Sequence, residues 1–586
     1  MMHFMDEVDA GLQAKLARYV RARQNPAGGW PLYTDGKTDI SCTVKAYYAL
    51  KLAGDDPRAP HMLRARQAVL DCGGAERSNV FTRIMLAHFG QLPWRAVPFV
   101  PVEVMLLPRW FFFHIYKISS WARTVMVPLL ILCSLKARAK NPTGVGIREL
   151  FRDDPAQIKD YFPGRSVTTL TGWFLVLDRL GRALEPLIPA RVRARAIRKA
   201  EEWFTARLNG EDGLNGIFPA MINAYQALAV LDYPKDHRYR KQAGAALRRL
   251  IIERPQDAYC QPCVSPVWDT SLAIHALVET DRSTGGEVLA AVEWLKRRQI
   301  VDAPGDWQVN RPGVRGGGWA FQYRNDYYPD LDDTAAVAWA IARAAGPDNR
   351  DVLDRAADWL VAMQSRNGGF AAYDADNTYH YLNEIPFADH KALLDPPTAD
   401  VTARVVTFLA YLGRPRDRSA LQRAVEFLRR EQESFGAWYG RWGTNYIYGT
   451  WSVLAAFELL GETSLRPAID KAVAWLVSVQ QADGGWGETN DSYHDPSLAG
   501  CGQPATAMQT AWACLGLIAA GEARSEAVRR GMGWLMEHQS EGCWRDPYFN
   551  APGFPRVFHL IYHGYRSYFP LWALARYRNA MEGRAS

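Results

Sequence analysis

Three carboxylates stand within four residues at Asp330-Leu331-Asp332-Asp333, and Thr334-Ala335 lead into a helix-like run that ends near Ala345. Upstream lie Gly316-Gly317-Gly318-Trp319-Ala320-Phe321 and Tyr327-Tyr328-Pro329. Carboxyls crowded among apolar rings repel one another's charge and lose hydration, and both effects raise their pKa. Such a cluster can hold and deliver a proton. The same residues also suit a helix cap or a metal site, because Asp before a helix accepts backbone N–H groups. The helix is expected to start at Asp333, which gives that residue the cap. The helix dipole there favours ionised carboxylates and works against storing a proton.

The elements that position this cluster form a repeat. Trp294-Leu295…Gln299 is followed by Gly305-Asp306-Trp307. Similar copies read Tyr19-Val20…Gln24…Gly28-Gly29-Trp30 and Trp359-Leu360…Gln364…Gly368-Gly369-Phe370. Three more are Phe427-Leu428…Gln432…Gly436-Ala437-Trp438, Trp475-Leu476…Gln480…Gly484-Gly485-Trp486 and Trp534-Leu535…Gln539…Gly542-Cys543-Trp544. A worn copy, Trp203-Phe204…Leu208, lacks the glutamine. In each full copy an amphipathic helix ends near the Gln, and glycines then turn the chain. The aromatic folds back over the helix end, and the Gln amide is free to tie loose backbone groups at adjoining helix termini. Strand-like alternation is scarce. Repeated helix pairs of this kind build a solenoid or a closed ring of helices.

With 586 residues and 48% apolar content, the chain can bury a large core. Its 21 Trp, 26 Tyr and 23 Phe supply more aromatic surface than packing alone demands. The net charge of +7 is mild, and no Lys/Arg block resembles a nucleic-acid arm. Arg191, Arg193, Arg195, Arg198 and Lys199 form the best local basic cluster, suited to a solvated helix face or to anionic lipid. Cys260-Gln261-Pro262-Cys263 is a lone CxxC without a second pair at zinc spacing, and the eight cysteines read as reduced, buried thiols of a cytosolic compartment. Asp6, Glu7 and Asp9 near the start do not fit a signal peptide. The longest apolar run, Val125 to Cys133, is too short to span a bilayer and contains Pro128.

Together, the Gln…Gly-x-Trp copies and Asp330-Leu331-Asp332-Asp333-Thr334-Ala335 resemble the QW and DxDDTA motifs of the squalene–hopene cyclase family. Further segments are similar: Leu107-Pro108-Arg109-Trp110, Ser120-Trp121-Ala122-Arg123, Ser265-Pro266-Val267-Trp268-Asp269-Thr270, Ala372-Tyr373-Asp374-Ala375-Asp376-Asn377-Thr378, Asp400-Val401-Thr402-Ala403 and Gly440-Arg441-Trp442-Gly443-Thr444-Asn445-Tyr446. The resemblance covers nearly the whole chain. It implies an all-α fold of two α/α barrels in a dumbbell, with a cavity between them. Residues 1–263 would form the membrane-proximal barrel and 264–586 the barrel with the acid motif. It further implies a monotopic homodimer on the cytoplasmic side of the cell membrane, held in one leaflet, with squalene as its substrate.

The chemistry implied is acid-initiated polycyclisation of squalene to hopene or hopanol, without a metal or other cofactor. No DDxxD pattern of Mg²⁺-dependent terpene synthases is present. By resemblance, Asp332 donates the proton, Asp330 and Asp333 support it, and Tyr448 hydrogen-bonds the acid. Arg404 stands where some members carry a histidine, and a guanidinium does not relay protons as an imidazole does. Phe321, Tyr373, Phe558 and Trp121 would line the path of the cation, and Trp268, Trp442, Phe554, Tyr562 and Tyr565 would shape it. Aromatic faces stabilise a cation by roughly 0.5–2 kcal/mol each and offer it no strong base.

Two departures stand out. The chain starts close to its first repeat copy, where members typically carry several tens of residues that complete the second barrel. Phe218, in Gly216-Ile217-Phe218-Pro219, stands where some members have glutamine, which leaves the final base or water site and the hopene-to-hopanol ratio open. A related cyclase acting on another polyprenyl chain fits the same motifs. A helical-toroid hydrolase fits less well, since paired glycosidase carboxyls stand about 5–9.5 Å apart across the bond they cleave. A non-catalytic helical scaffold has no need of a buried acid cluster.

Overall fold

The structure, a computed structural model, describes residues 1–162, 168–282 and 285–584. Helices dominate, and the strands described are three short antiparallel hairpins. The chain divides into two compact units: Met1–Val264 with Tyr379–Leu394, and Ser265–Thr378 with Asp395–Ser586.

In the first unit, helix α1 (Ser120–Ser134) packs against α3 (Ala190–Thr205) and α4 (Phe218–Val230). All fifteen residues of α1 are buried, Pro128 included, so the apolar run seen in the sequence is the core of this unit. The segment Tyr379–Leu394 joins it through Ser119 N–H to Leu393 O, at 2.8 Å, and Asp389, which accepts the Val80 N–H at 2.7 Å. Helix α2 (Leu170–Leu184) is turned inside out. Its polar Asp178 and Arg182 bond the backbone of Phe99, Trp94 and Val97, while Leu170, Trp173, Val176, Leu177, Leu180 and Leu184 face solvent.

In the second unit, six inner helices form a closed ring: α5 (Pro266–Val278), α6 (Leu331–Ala345), α7 (Ala399–Leu412), α8 (Tyr446–Leu460), α9 (Ala507–Ala519) and α10 (Tyr565–Met581). Each packs on the next, and α10 returns to α5. Outer helices such as Arg350–Ala362 and Arg418–Arg430 lie against them. This is an α/α barrel. No helix among the described residues is long and apolar enough to cross a membrane.

The repeat explains how the ring is tied. Gln24, Gln299, Gln364, Gln432 and Gln480 each donate from one amide nitrogen to two carbonyls, at 2.7–2.9 Å. One carbonyl belongs to the glycine turn and the other to the start of a neighbouring helix, where Gln364 reaches Gly368 O and Ala420 O. Each bond contributes a net ~0.5–1.5 kcal/mol. The turn needs glycine because φ is +93° at Gly368, and a Cβ there would lie 2.4 Å from Arg423 O. The repeat tryptophan closes the motif by donating its indole N–H to the aliphatic residue of the preceding helix, as Trp486 does to Leu476 O at 2.8 Å. In the last copy Gln539 is exposed, although Trp544 keeps its bond to Leu535 O.

One copy closes on a different turn from the one its spacing predicts. Gln299 bonds Gly317 O, and the indole over Leu295 O is Trp319, so the turn is Gly317-Gly318-Trp319 and Gly305-Asp306-Trp307 lies in an inserted loop. The cysteines also differ from expectation. Only Cys133 and Cys514 are buried, whereas Cys72, Cys260, Cys501 and Cys543 are exposed.

A second latch joins each repeat turn to the next inner helix. Thr43, Thr334, Thr402, Thr450 and Thr510 accept the backbone N–H of Trp30, Trp319, Phe370, Trp438 and Trp486, at 2.9–3.1 Å. Four residues before the threonine, Asp39, Asp330, Thr398 and Thr506 return an N–H to the carbonyl of the same aromatic.

Candidate active site

Helix α6 is alanine-rich, which favours helix formation and lets the inner helices approach closely. Its cap is Asp330, not Asp333: Oδ1 of Asp330 accepts the N–H of Asp332 at 2.7 Å and of Asp333 at 3.2 Å. The helix starts two residues earlier than the sequence suggested because Trp319 and Thr334 pin the backbone of Asp330 from both sides. That leaves Asp332 and Asp333 in the first turn, free of capping duty and buried.

Helix α7 brings Arg404 to Asp332, with Nε 2.5 Å from Oδ1. Nη2 of the same arginine donates to the Tyr448 hydroxyl of α8 at 2.6 Å. The guanidinium lies 5.1 Å from the Trp268 ring centroid and 5.7 Å from those of Tyr448 and Trp451. Thus Asp332, Arg404 and Tyr448, read separately from the sequence, form one buried chain. Asp332, Asp400 and Tyr448 each occupy the second position after the start of the latch, on three successive inner helices, which is why they converge.

Burial raises all three carboxyls of the motif. For Asp332 the rise reaches about 6, with the Asp400 charge adding to burial and Arg404 opposing it. Asp330 is raised by burial and the charge of Asp332, while a hydrogen bond from Tyr373 and the two backbone N–H groups pull it down. Asp333 is driven well above the ordinary carboxyl range by burial, then by Asp330 and Asp332, and its Oδ1 is buried without a hydrogen-bond partner among the described residues. Burial works against the charge of Arg404, but Asp332 leads the interactions that outweigh it. One guanidinium facing three buried carboxyls cannot neutralise them all, so the site holds protons near neutral pH.

Of the aromatic residues, Trp268 lies against the Arg404 guanidinium. Trp268 donates its indole N–H to the Tyr565 hydroxyl at 2.9 Å. Tyr562 stacks on Tyr565 at 4.5 Å and meets Phe321 edge-on at 6.2 Å. Phe554 and Phe558 lie 6.3 Å apart on a hairpin. The Trp442 N–H donates to Asp400 at 2.8 Å, and Arg441 covers its ring at 4.1 Å. Trp121 belongs to the first unit, where its indole donates to Ala392 O. Sequence reasoning passed over Trp451 and Trp512, which stack on each other and meet Tyr448 edge-on, and Phe569, which meets both tryptophans edge-on. Trp451 was detectable as the i+3 neighbour of Tyr448 on one helix face. Asp269, which accepts from Ser265 and Tyr568, was also passed over.

Family models for the N-terminal and C-terminal domains of squalene–hopene cyclase match residues 1–256 and 264–579. The chain belongs to the squalene–hopene cyclase family. A squalene–hopene cyclase of Zymomonas mobilis is 50% identical over 99% of this chain and 90% of its own length. One from Alicyclobacillus acidocaldarius is 40% identical over 100% of this chain and 92% of its own. Among solved structures, an ent-copalyl diphosphate synthase from Streptomyces platensis aligns over 98% of this chain and 95% of its own, with a TM-score of 0.51 at 17% identity, a likeness of fold. Squalene–hopene cyclase family membership makes the chain a triterpene cyclase of isomerase type that acts on a polyprenyl substrate.

Proposed function

We propose that the chain cyclises squalene to hopene, hopanol or both, and that the carboxylate cluster of α6 starts the reaction. The observation that carries this reading is the burial of Asp330, Asp332 and Asp333 against a single guanidinium. Asp332 gives its proton to the terminal double bond of squalene. The π pair becomes the new C–H bond, and a tertiary cation remains on the adjacent carbon. Arg404, already 2.5 Å away, then balances the charge left on Asp332. Tyr448 fixes the guanidinium, and Asp330 and Asp333 hold the acid in orientation. Successive double bonds close on the cation, while Phe321, Tyr373 and Phe558 stabilise it and Trp268, Trp442, Phe554, Tyr562 and Tyr565 shape its path. Loss of a proton from the last cation gives hopene, and capture of water gives hopanol.

Squalene is insoluble in water, so the enzyme takes it from one leaflet of the membrane, on the cytoplasmic side, and acts as a homodimer. Helix α2 supports the membrane contact. Its six exposed apolar side chains fall on one helical face, and Asp178 and Arg182 face the protein.

The test is incubation of detergent-solubilised protein with squalene, with products identified by mass spectrometry. Pentacyclic products that vanish in Asp332→Asn support the reading. Activity that survives Asp332→Asn overturns the assigned donor, and cyclisation of another polyprenyl chain in preference to squalene overturns the substrate.

A further inference from the structure

The acid cluster contains a group that the cation path does not account for. Leu331 N–H donates to Ala372 O at 2.7 Å, which lays the following residue, Tyr373, beside the start of α6. The Tyr373 hydroxyl hydrogen-bonds Asp330. Its backbone is held by Asp395, whose Oδ2 accepts the Tyr373 N–H at 2.7 Å. The phenol is thus fixed at both ends.

We propose that the Tyr373 hydroxyl belongs to the proton-delivering acid, as a positioning residue that donates to Asp330 and weakens its hold on the proton of the cluster. This rests on the acid-initiated reading above. Asp330 already accepts from two backbone N–H groups, and the phenol supplies a third donor. Burial and the charge of Asp332 push Asp330 up to about 8, and the three donors oppose that rise, so losing one tightens its grip on a proton. Asp332 faces a guanidinium, and Asp333 Oδ1 has no hydrogen-bond partner among the described residues.

The other charges around Asp330 do not replace this contact. Asp332 and Asp333 on its own helix, Asp400 on α7 and Asp269 on α5 are carboxyls and cannot favour its negative charge when ionised. Arg404 is engaged with Asp332 and Tyr448. Burial, then the charges of Asp330 and Asp333, and least that of Asp395 raise the pKa of Tyr373, which keeps the phenol a donor.

Tyr373→Phe separates the two roles of this side chain, because it keeps the ring and removes the hydroxyl. Without the phenol, Asp330 binds its proton more tightly. Turnover of squalene is expected to fall about tenfold or more, and the alkaline limb of the pH–rate profile to move to higher pH, with the product pattern of the wild type retained. Tyr373→Leu adds incompletely cyclised products. Infrared difference spectra in the carboxyl C=O region, recorded as a pH titration without substrate, read the same proton independently of activity. Tyr373→Phe should shift that titration upward. An unchanged infrared titration, or a variant with wild-type rate and pH profile, overturns the inference. Absence of cyclised product from the wild type overturns the functional reading instead, and the infrared titration still decides the role of the hydroxyl.

Discussion

Nε of Arg404 lies 2.5 Å from Oδ1 of Asp332, and the same guanidinium donates to the Tyr448 hydroxyl at 2.6 Å. The pair lowers the pKa of the acid against burial, so Asp332 is held at about 6 and not higher. A planar guanidinium does this as a fixed charge and passes no proton on. In Arg404→Gln, Asp332 loses that pull and becomes a weaker acid. Cyclisation should fall at least tenfold, and its alkaline limb should move up by one pH unit or more, since a cation beside a carboxyl shifts it by ~1–3 units. Product formation measured across pH checks this, and an unmoved profile removes Arg404 from the acid.

Asp332→Asn should abolish cyclisation to within ~10²–10⁴-fold of the starting rate, the range expected for a general acid. Its effect on stability depends on pH. The raised pKa of Asp332 means that its contribution to stability is full below the unfolded value near 3.8 and is lost as pH rises through about 6. Two pKa units correspond to about 3 kcal/mol. Between pH 4 and pH 7.5 the stability of the variant relative to wild type should therefore rise by up to that amount, on top of a pH-independent cost for leaving Arg404 without its buried partner. Denaturant unfolding at the two pH values measures it.

Gln364→Ala leaves Gly368 O and Ala420 O without their shared donor. It should cost about 1–3 kcal/mol in unfolding free energy, the penalty for unsatisfied buried groups. Gln539→Ala, at an exposed position in the degenerate last copy, should cost less than half as much. Equal losses at the two sites would show that the glutamine ties are not what holds the ring.

Trp173→Glu with Leu180→Glu places two charges on the outward face of α2, where both side chains are more than half exposed. Melting temperature should stay within a few degrees of wild type, because neither side chain is packed. Co-flotation with phospholipid vesicles should drop about tenfold or more, since each charge in an apolar membrane face costs roughly 2–3 kcal/mol. Flotation that survives both substitutions would remove α2 from the membrane contact.

Much of this was legible in the chain, and the exceptions are physical. The six copies of the repeat announced the helix pairs, because helix ends need glycine turns and an amide donor whatever the tertiary context. The copy at Trp294 was paired with Trp307 because sixteen inserted residues, Val301 to Gly316, separate it from its real turn. Local spacing cannot reveal which of two tryptophans folds back. The cap was assigned to Asp333, whereas Asp330 holds it, since the latch through Thr334 fixes the backbone earlier than propensity alone would. Asp332, Arg404 and Tyr448 were picked out as separate motifs, but their assembly into one chain depends on three neighbouring helices. The open role of Asp269 and the aromatic floor of Trp451 and Trp512 come from the same source: long-range packing of helices far apart in sequence.

The latch at Asp39 and Thr43 repeats that of Asp330 and Thr334, except that Asp330 also accepts the N–H of the second residue after it. Asp39 donates its N–H to Trp30 O and accepts the N–H of Cys42, and Thr43 accepts from Trp30 and donates to Asp39 O. Between them stand Ser41 and Cys42 in place of Asp332 and Asp333. The chain therefore carries its own blank: a scaffold alike in its joinery and empty of the acid pair. The acid pair thus sits on a joint that holds without it, since the turn at Asp39 and Thr43 closes with a serine and a cysteine in those two places.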